Sequence, residues 1–340
     1  MERIPCCVCG SESHSRVWAR IAADEYAPRV PGAPPCSRWV VCRDCGLVFQ
    51  NPRPDGAEVA QMYSGSGYRD WDEVPDEFFT YARRRALPVL QWLETLPEYR
   101  ELMKQPAEQR AVLDVGCGVG GAVKGLTDLD WRAFGVEPDP MLARAGSERF
   151  GVTIVPQFMH RDLLPEVDFS LVFSLHTFEH LLDPLDVVRS ARELLTRGGS
   201  KRGYIFIAVP TWSHATHPAW EWMNTSHTYL FSANSLGNLL ARAGFRMLHS
   251  NYPKPDYHPC SEPSEVWVFG ELDPAADSAV DSTDRLPYRE KPLSVQSAMA
   301  LVPLRWPLAA IGRRLRRTLR GLTGGGRSNA RPAPSGAEKS

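Results

Sequence analysis

The sequence lacks a long apolar run. No stretch of its 340 residues approaches the roughly 18 consecutive apolar residues that a membrane-spanning helix requires. Residues 1–6 likewise lack the apolar core of a secretory signal. We therefore expect a protein of the reducing cytoplasm.

An excess of charge of either sign is also missing. Lys and Arg together number 39 against 40 Asp and Glu, a formal net charge of −1. This balance argues against binding of nucleic acid through the overall charge of the protein. It does not exclude local basic patches. Hydrophobic residues make up 43% of the chain, which is enough to bury a full core and excludes a mainly disordered protein.

Cysteine is scarce after residue 45. Six of the eight cysteines lie in the first 45 residues, and four of them form two pairs with two residues between the thiols. That spacing lets both thiolates of a pair reach one tetrahedral Zn²⁺, and the glycine after each pair permits the tight turn around sulfur. We predict a closed, structural zinc site on Cys6, Cys9, Cys42 and Cys45. Unligated or oxidised thiols are the alternative for the four, and Cys7 is an alternative ligand.

Residues 108–271 alternate between short apolar runs and helical patterns. The predicted strands are 111–115, 131–136, 152–155, 169–175, 203–209, 245–251 and 265–270. The predicted helices between them are 119–128, 140–150, 185–196 and 233–243, and two further helices, 55–63 and 76–96, precede them. Strands separated by helices of this length imply an α/β fold, a doubly wound, mostly parallel sheet with helices on both faces.

A glycine-rich turn joins the strand at 111–115 to the helix that follows. Gly116, Gly118 and Gly120 lie there, where the chain must turn tightly and let a ligand approach its backbone. Glu137 is predicted at the tip of the next strand, where its carboxylate can accept hydrogen bonds from two ribose hydroxyls. A strand-to-helix turn without a ligand is the alternative.

Asp114 decides between the nucleotides that such a turn can hold. Gly116, Gly118 and Gly121 satisfy the spacing of a dinucleotide fingerprint. A dinucleotide places a pyrophosphate on this turn, and a carboxylate two residues before the first glycine repels it. S-adenosylmethionine brings an ammonium and a sulfonium, which a carboxylate attracts. The turn therefore favours S-adenosylmethionine over a nicotinamide cofactor.

The stretch Asp114-Val-Gly-Cys-Gly-Val-Gly120 resembles the Asp/Glu-x-Gly-x-Gly-x-Gly signature of the class I S-adenosylmethionine-dependent methyltransferases. Glu137 is similar to the acid that ends the family's second strand, and residues 171–184 are similar to its fourth-strand segment. The family places an acid near the adenine amino group, which corresponds to Asp162 here. The resemblance implies cofactor contacts from Asp114, Gly116, Cys117, Gly118, Gly120, Glu137, Asp162, Leu163 and His176. The family usually has an aspartate two residues into the fourth strand, and this chain has Phe169-Ser170 there.

The cysteine pairs followed by Gly46-Leu-Val-Phe-Gln resemble the N-terminal zinc segment of the sugar C-methyltransferase family, which acts on nucleotide-linked keto-deoxysugars. In that family a Glu-His pair precedes a Tyr-Phe-Ser stretch, and the histidine is the proposed base. Residues 226–232 are similar, with Ser226 in place of the glutamate. The resemblance makes His227 the first candidate base, with a structural hydrogen bond as the alternative. His176 is the second candidate, or a cofactor contact.

An aromatic group and two more histidines are expected near the same pocket. They are Trp212, His214, His217, Trp220, Trp222 and Tyr229. The aromatic rings form either a wall for a flat or sugar-like acceptor or a buried lid.

The last part of the chain carries a basic amphipathic pattern. Apolar residues from Leu304 to Leu322 share one helical face, and five arginines between 313 and 320 face the other way. Such a helix can lie on an anionic membrane surface, which implies a place at its inner face. Packing against the protein and contact with nucleic acid are the alternatives.

These observations divide the chain into predicted regions. They are a zinc-binding segment (1–50), a helical region on the substrate side (51–107), a cofactor-binding domain (108–271), an irregular linker (272–297), a basic helix (298–322) and a disordered tail (323–340). We expect methyl transfer to a small acceptor, a sugar or glycoconjugate precursor, at oxygen or carbon. An RNA methyltransferase and a non-catalytic cofactor-binding protein are the alternatives, and nucleic acid is the less favoured partner.

Overall fold

The structure is a computed structural model of the chain. It describes residues 1–17, 38–63, 72–197, 199, 202–211, 223–251, 265–273 and 286–288. The predicted basic helix and tail lie outside these residues, as do Trp212, His214, His217, Trp220 and Trp222. Among the described residues, no helix is both long and apolar enough to cross a membrane.

The described elements form two sheets and seven α-helices. The strands are β1 (His14–Arg16), β2 (Trp39–Cys42), β3 (Val48–Gln50), β4 (Ala111–Val115), β5 (Arg132–Val136), β6 (Thr153–Val155), β7 (Phe169–Leu175), β8 (Tyr204–Pro210), β9 (Tyr229–Leu230), β10 (Phe245–Ser250) and β11 (Glu265–Leu272). The helices are α1 (Gly56–Tyr63), α2 (Asp76–Leu93), α3 (Pro97–Leu102), α4 (Gly121–Thr127), α5 (Pro140–Phe150), α6 (Pro184–Thr196) and α7 (Ala233–Arg242).

The large sheet has seven strands in the order β10-β11-β8-β7-β4-β5-β6. The five strands from β8 to β6 are parallel, and β11 runs antiparallel to both of its neighbours. This confirms the predicted α/β fold with a mostly parallel sheet. The strand order reverses at β4, and ligands of open α/β sheets bind at the carboxyl ends of the strands at such a point.

Apolar cores lie on both faces of this sheet because successive residues of a strand point to opposite sides. Leu113 packs into the core that α6 and α7 cover, with Val188 and Leu236 among its members. Val112 packs into the core on the other face, together with Trp92 of α2. Both faces are therefore covered by helices.

Local capping fixes where several helices begin. The Asp139 side chain accepts hydrogen bonds from two backbone N–H groups in the first turn of α5, and the Asp183 side chain accepts one from the Asp186 N–H at the start of α6. Ser232 forms a capping box with Ser235 at the start of α7. The prediction of one helix over 76–96 is wrong at its end, because α2 ends at Leu93 and Pro97 begins α3.

The small sheet was not predicted. Its order is β1-β2-β3-β9, with all three pairs antiparallel. Phe49 of β3 pairs with Tyr229 of β9, which lies far away in the sequence. Strands of two to four residues are too short for an alternating pattern to be recognised. This sheet fixes the N-terminal segment beside residues 227–230.

Candidate active site

A cavity of about 360 Å³ opens at the carboxyl ends of β4, β7 and β8. The turn after β4, the segment after β7, helix α2 and the loop before β9 form its walls. Its lining residues are Phe78, Tyr81, Ala82, Arg85, Asp114, Gly116, Cys117, Gly118, Val119, Gly121, Ala122, Leu175, His176, Glu179, His180, Pro210, Asn224, Ser226 and His227. The cavity therefore lies where the strand order of the sheet reverses.

The turn after β4 needs glycine for two different reasons. A Cβ on Gly116 would lie 2.3 Å from Oγ1 of Thr177, so a side chain does not fit there. Gly118 has a φ of +54°, and a Cβ there would meet nothing within 4 Å. Side chains rarely adopt this backbone conformation, and the open space leaves the backbone accessible to a ligand.

Asp114 places a carboxylate at the base of the cavity. Only 2% of the residue is exposed, and its Oδ1 atom has no hydrogen-bond partner in the part of the chain that the structure describes. Burial, assisted by the nearby charge of Glu137, raises the pKa of this carboxyl well above its usual range. Burying a carboxylate without a hydrogen-bond partner is unfavourable in free energy. A cation bound at this position would give the carboxylate a partner.

Glu137 supports the glycine turn. Its Oε2 accepts a hydrogen bond from the Gly118 N–H at 2.9 Å, and its Oε1 accepts one from the Asp139 N–H at 3.0 Å. The side chain thus links the ends of β4 and β5. Its predicted contact with ribose hydroxyls stays a prediction.

The other predicted cofactor residues have different positions. Cys117 lines the cavity, and burial raises the pKa of its thiol well above the usual range. Gly120 directly precedes α4, and a Cβ on it would lie 2.8 Å from a methyl group of Ile154. Asp162 is exposed and Leu163 is buried in the apolar core, and neither lines the cavity. Their cofactor contacts stay predictions.

His176 lies at the end of β7 between two carboxylates. Its Nε2 is 2.6 Å from Oε1 of Glu265, and its Nδ1 is 3.3 Å from Oε1 of Glu179. Burial opposes a charged ring, but the two carboxylates outweigh it, so the pKa of His176 is raised. A ring paired at both nitrogens has no lone pair for a substrate proton. The geometry favours an ion-pair role, and its catalytic role stays a prediction.

Two of the residues around His176 were missed by the sequence analysis. Glu265 also accepts hydrogen bonds from Nη2 of Arg85 at 2.5 Å and from Nε1 of Trp267 at 2.8 Å. Arg85 comes from α2 and Glu265 from β11. Only the folded chain brings them together, and no local pattern marks them.

His227 lines the cavity and lies in the loop before β9. It is 7% exposed, and its backbone N–H donates to Oδ1 of Asn224 at 2.9 Å. Its ring contacts His180 edge-on, with 4.6 Å between ring centroids. Glu179 lies beside both rings, so the predicted base belongs to a group of three polar side chains.

Glu179 is ionised in this group. It is 1% exposed, and burial alone would raise its pKa. The hydrogen bond from His176 and the nearby charge of His180 act more strongly together and lower the pKa of Glu179 to about 2. Its position in the fourth-strand segment was the one sequence signal that could have identified it.

The four cysteines of the predicted zinc site lie together. Sγ of Cys6 is 3.5 Å from Sγ of Cys45, and Sγ of Cys9 is 3.4 Å from Sγ of Cys42. All four sulfurs lie within 4.8 Å of one another and all four residues are buried. The set fits a tetrahedral zinc ion in its donor chemistry. Cys7 lies outside the group, and burial raises the pKa of its thiol to about 12.

Hydrogen bonds connect this cysteine group to the cavity. The Gln50 N–H donates to the Thr228 carbonyl at 2.8 Å, and the Thr228 N–H donates to the Glu179 carbonyl at 2.6 Å. The N-terminal segment is thereby joined, through Thr228, to the backbone of the cavity residue Glu179, and Thr228 directly follows His227 in the chain.

Comparison with known proteins shows which family the chain resembles. Residues 81–250, half of the chain, match the model of a family described as a methyltransferase domain. The chain is 30% identical over 99 residues to a ubiquinone biosynthesis O-methyltransferase of Cereibacter sphaeroides and 32% identical over 103 residues to a tRNA U34 carboxymethyltransferase of Shewanella frigidimarina. Each alignment covers 28% of this chain, and the two cover 40% and 31% of the relatives, less than half of their length.

The chain was also compared with solved structures. A magnesium protoporphyrin IX methyltransferase from Synechocystis with bound SAH is 11% identical, with a TM-score of 0.43. The match covers 64% of this chain and 99% of that one.

Proposed function

The chain belongs to the methyltransferase domain family, and from this premise we propose that it transfers the methyl group of S-adenosylmethionine to a small acceptor. The observation that carries this proposal is the buried Asp114 carboxylate in the wall of the cavity, with an oxygen that no described residue satisfies. The cofactor's ammonium supplies the missing partner there. A pyrophosphate at the same turn would be repelled.

The glycine turn and Glu137 complete the cofactor side. Gly118 leaves room for the amino-acid part of the cofactor against its backbone. Glu137, held at the adjoining strand end, offers its carboxylate to the ribose hydroxyls. These two roles follow from the chemistry of the residues and from the resemblance.

The acceptor binds on the side of Glu179, His180 and His227. Methyl transfer is an in-line displacement in which the acceptor atom forms a bond to the methyl carbon while the carbon–sulfur bond breaks. S-adenosylhomocysteine leaves, and the acceptor loses one proton. The donor is already activated, so positioning the acceptor and removing its proton are the remaining tasks. We assign the assistance of that step to His227, the predicted base.

The acceptor is a sugar or a glycoconjugate precursor. Support comes from the resemblance of the cysteine pairs and residues 226–232 to the sugar C-methyltransferases. The net charge of −1 makes an RNA acceptor the weaker candidate. The tRNA-modifying relative is one observation in favour of RNA, so RNA belongs in the substrate panel.

We also propose that Cys6, Cys9, Cys42 and Cys45 hold a structural Zn²⁺. A set of four thiolates leaves no open coordination position, so the ion would take no part in the methyl transfer. Its role is to hold the N-terminal segment against β9.

Two measurements test the proposed function. Isothermal titration should show binding of S-adenosylmethionine and none of NAD, and methyl release should be followed with nucleotide sugars, RNA and buffer alone. Binding of NAD in place of the sulfonium cofactor would overturn the proposal. Cofactor binding without methyl release from any acceptor would favour a non-catalytic binding protein.

Replacing the predicted base gives a sharper test of the acceptor side. We expect His227→Gln to lower kcat on the order of 100-fold, the usual contribution of acid–base assistance, with little change in cofactor affinity. His249→Gln is the matched control, because His249 pairs with Glu98 and does not line the cavity. Near-normal turnover of the His227 variant would remove this residue from the role.

A further inference from the structure

Three cavity residues have the geometry of a metal site that is separate from the four cysteines. One ligand atom each from Glu179, His180 and His227 lie within 4.8 Å of one another. Glu179 and His180 belong to the short 3-10 helix after β7, and His227 precedes β9. All three line the same cavity as Asp114.

His180 is oriented as a metal-binding histidine is. Its Nδ1 lies 2.9 Å from the Ser226 carbonyl oxygen. A carbonyl can only accept, so Nδ1 carries the proton and donates it. In the neutral ring, which is the form that binds a metal, the lone pair then lies on Nε2, which is 3.8 Å from Oε1 of Glu179. A backbone carbonyl that fixes the tautomer in this way is the usual outer-shell partner of a metal-bound imidazole.

Glu179 supplies the independent indication of a ligand. Its Oε1 lies beside His176, but its Oε2 is buried and has no hydrogen-bond partner among the described residues. The residue is 1% exposed. A buried carboxylate oxygen without a partner is unfavourable, and a cation bound between it and the two rings would remove that cost.

We propose that Glu179, His180 and His227 bind a divalent transition-metal ion such as Zn²⁺. Two imidazoles and one carboxylate suit transition metals, whereas Mg²⁺ and Ca²⁺ prefer oxygen ligands throughout. Three protein ligands leave at least one coordination position open, as catalytic sites do. All three ligands line the cavity in which the acceptor is proposed to bind.

This inference rests on the proposed function and adds a substrate class to it. The ion selects an acceptor that presents an oxygen, a hydroxyl or enolisable carbonyl, and lowers the pKa of that group. For a hydroxyl acceptor, the O–H proton passes to water, the oxygen forms a bond to the methyl carbon, and the carbon–sulfur bond breaks with its electron pair on sulfur. The assistance that the proposed function assigns to His227 is then exerted through the ion that it binds.

Counting metal ions on the full chain tests the proposal. The protein is stripped with a chelator, reloaded with Zn²⁺, and its metal content is measured by mass spectrometry. We expect about two ions per chain in the wild type, about one in Glu179→Gln and in His180→Asn, and about two in the control His249→Gln, because a site that loses one of three ligands binds far more weakly. Mg²⁺ should not replace the second ion.

A Co²⁺ titration of the wild type keeps the test valid if a variant does not fold. The first equivalent should give the thiolate-to-cobalt absorption of a cysteine site, and the second should give ligand-field bands without it. One equivalent in total, or a second equivalent that persists in both folded variants, would overturn the proposal. Cofactor titration is read separately: loss of S-adenosylmethionine binding with the second ion retained would overturn the proposed function and leave the metal site standing.

Discussion

At the scale of single residues, the unusual feature is the buried acid at the end of β4. Asp114 has an unsatisfied oxygen, and burial raises the pKa of its carboxyl. Such a group is unfavourable without a ligand, and in the proposed function the ammonium of the cofactor is that ligand. The cofactor affinity and the stability of the free protein should therefore respond in opposite directions when it is changed.

Asp114→Asn keeps the shape and removes the charge. We expect the affinity for S-adenosylmethionine to fall on the order of 10- to 100-fold, as loss of a charged hydrogen bond does. The melting temperature of the free protein should stay the same or rise, because an acid buried without a partner is replaced by an amide that cannot ionise. Isothermal titration and thermal unfolding measure the two effects. Unchanged affinity would contradict the placement of the cofactor's ammonium at this residue.

The raised pKa of Asp114 also predicts a pH dependence of cofactor binding. In the free protein the carboxyl keeps its proton to a higher pH than usual, whereas a bound ammonium favours the ionised form. Binding should therefore release a proton and become weaker as pH falls through the raised pKa. Titrations in two buffers of different ionisation enthalpy would show the release. The Asp114→Asn variant should show no release from this site, and equal release in both proteins would contradict the assignment.

The sequence predicts the cavity wall formed by the glycine turn much better than the wall around His176. Asp114, Gly116 and Gly118 follow a short, strongly patterned strand, so their role depends on local structure that periodicity predicts. The partners of His176 could not be found in this way. Glu265 lies 89 positions from His176, and the two meet only because β11 inserts between β8 and β10.

At the scale of elements, the predictions are confirmed where the periodic pattern of apolar residues extends over enough positions to be recognised. The predicted bounds of β4, β7 and α5 match the structure. It failed for the four strands of the small sheet, whose pairing depends on a distant two-residue strand. Short segments carry little periodic signal, and their register is set by tertiary contacts.

Helix α2 forms one wall of the cavity, and its position depends on small residues in α4. A Cβ on Gly121 would lie 2.5 Å from backbone atoms of Ala82, and a Cβ on Gly125 would lie 2.7 Å from a methyl group of Leu90. Backbone cannot move aside without shifting all of α2, whereas the end of a leucine side chain can rotate. The two glycines should therefore differ in their tolerance of alanine.

We expect Gly121→Ala to lower the free energy of unfolding by about 1–3 kcal/mol, Gly125→Ala by less, and Gly56→Ala by nothing measurable. Gly56 is the control, since it also lies in a helix and an added Cβ would meet only Leu182 at an ordinary 3.8 Å. Denaturant unfolding ranks the three variants. Because α2 carries Tyr81 and Arg85 on the cavity, Gly121→Ala should also weaken acceptor binding. Equal stability of all three variants would contradict this packing.

At the scale of the whole molecule, the N-terminal segment and the large sheet share one apolar core. Val8, Leu47 and Phe49 are fully buried in the same cluster as Val209 and Phe231. A cation held by the four cysteines would stabilise this segment by fixing both of its ends. Because β3 pairs with β9, the effect should extend to the acceptor side of the cavity.

The substitution Cys42→Ser tests the acceptor side of the cavity independently of the cofactor side. Loss of one thiolate should release the structural ion and loosen β2 and β3, and with them the loop that carries His227. We expect a melting temperature lower by about 5 °C or more, since each kcal/mol shifts it by roughly 2–4 °C in a domain of this size. The kcat should fall while cofactor affinity stays within about twofold, because Asp114 lies on β4 and Glu137 directly follows β5, and neither strand belongs to the small sheet. Cys7→Ser is the control, as its thiol lies outside the four-sulfur group. A variant that lost cofactor affinity and kcat together would instead show that the N-terminal segment supports the whole domain, and the assignment of this segment to the acceptor side would be wrong.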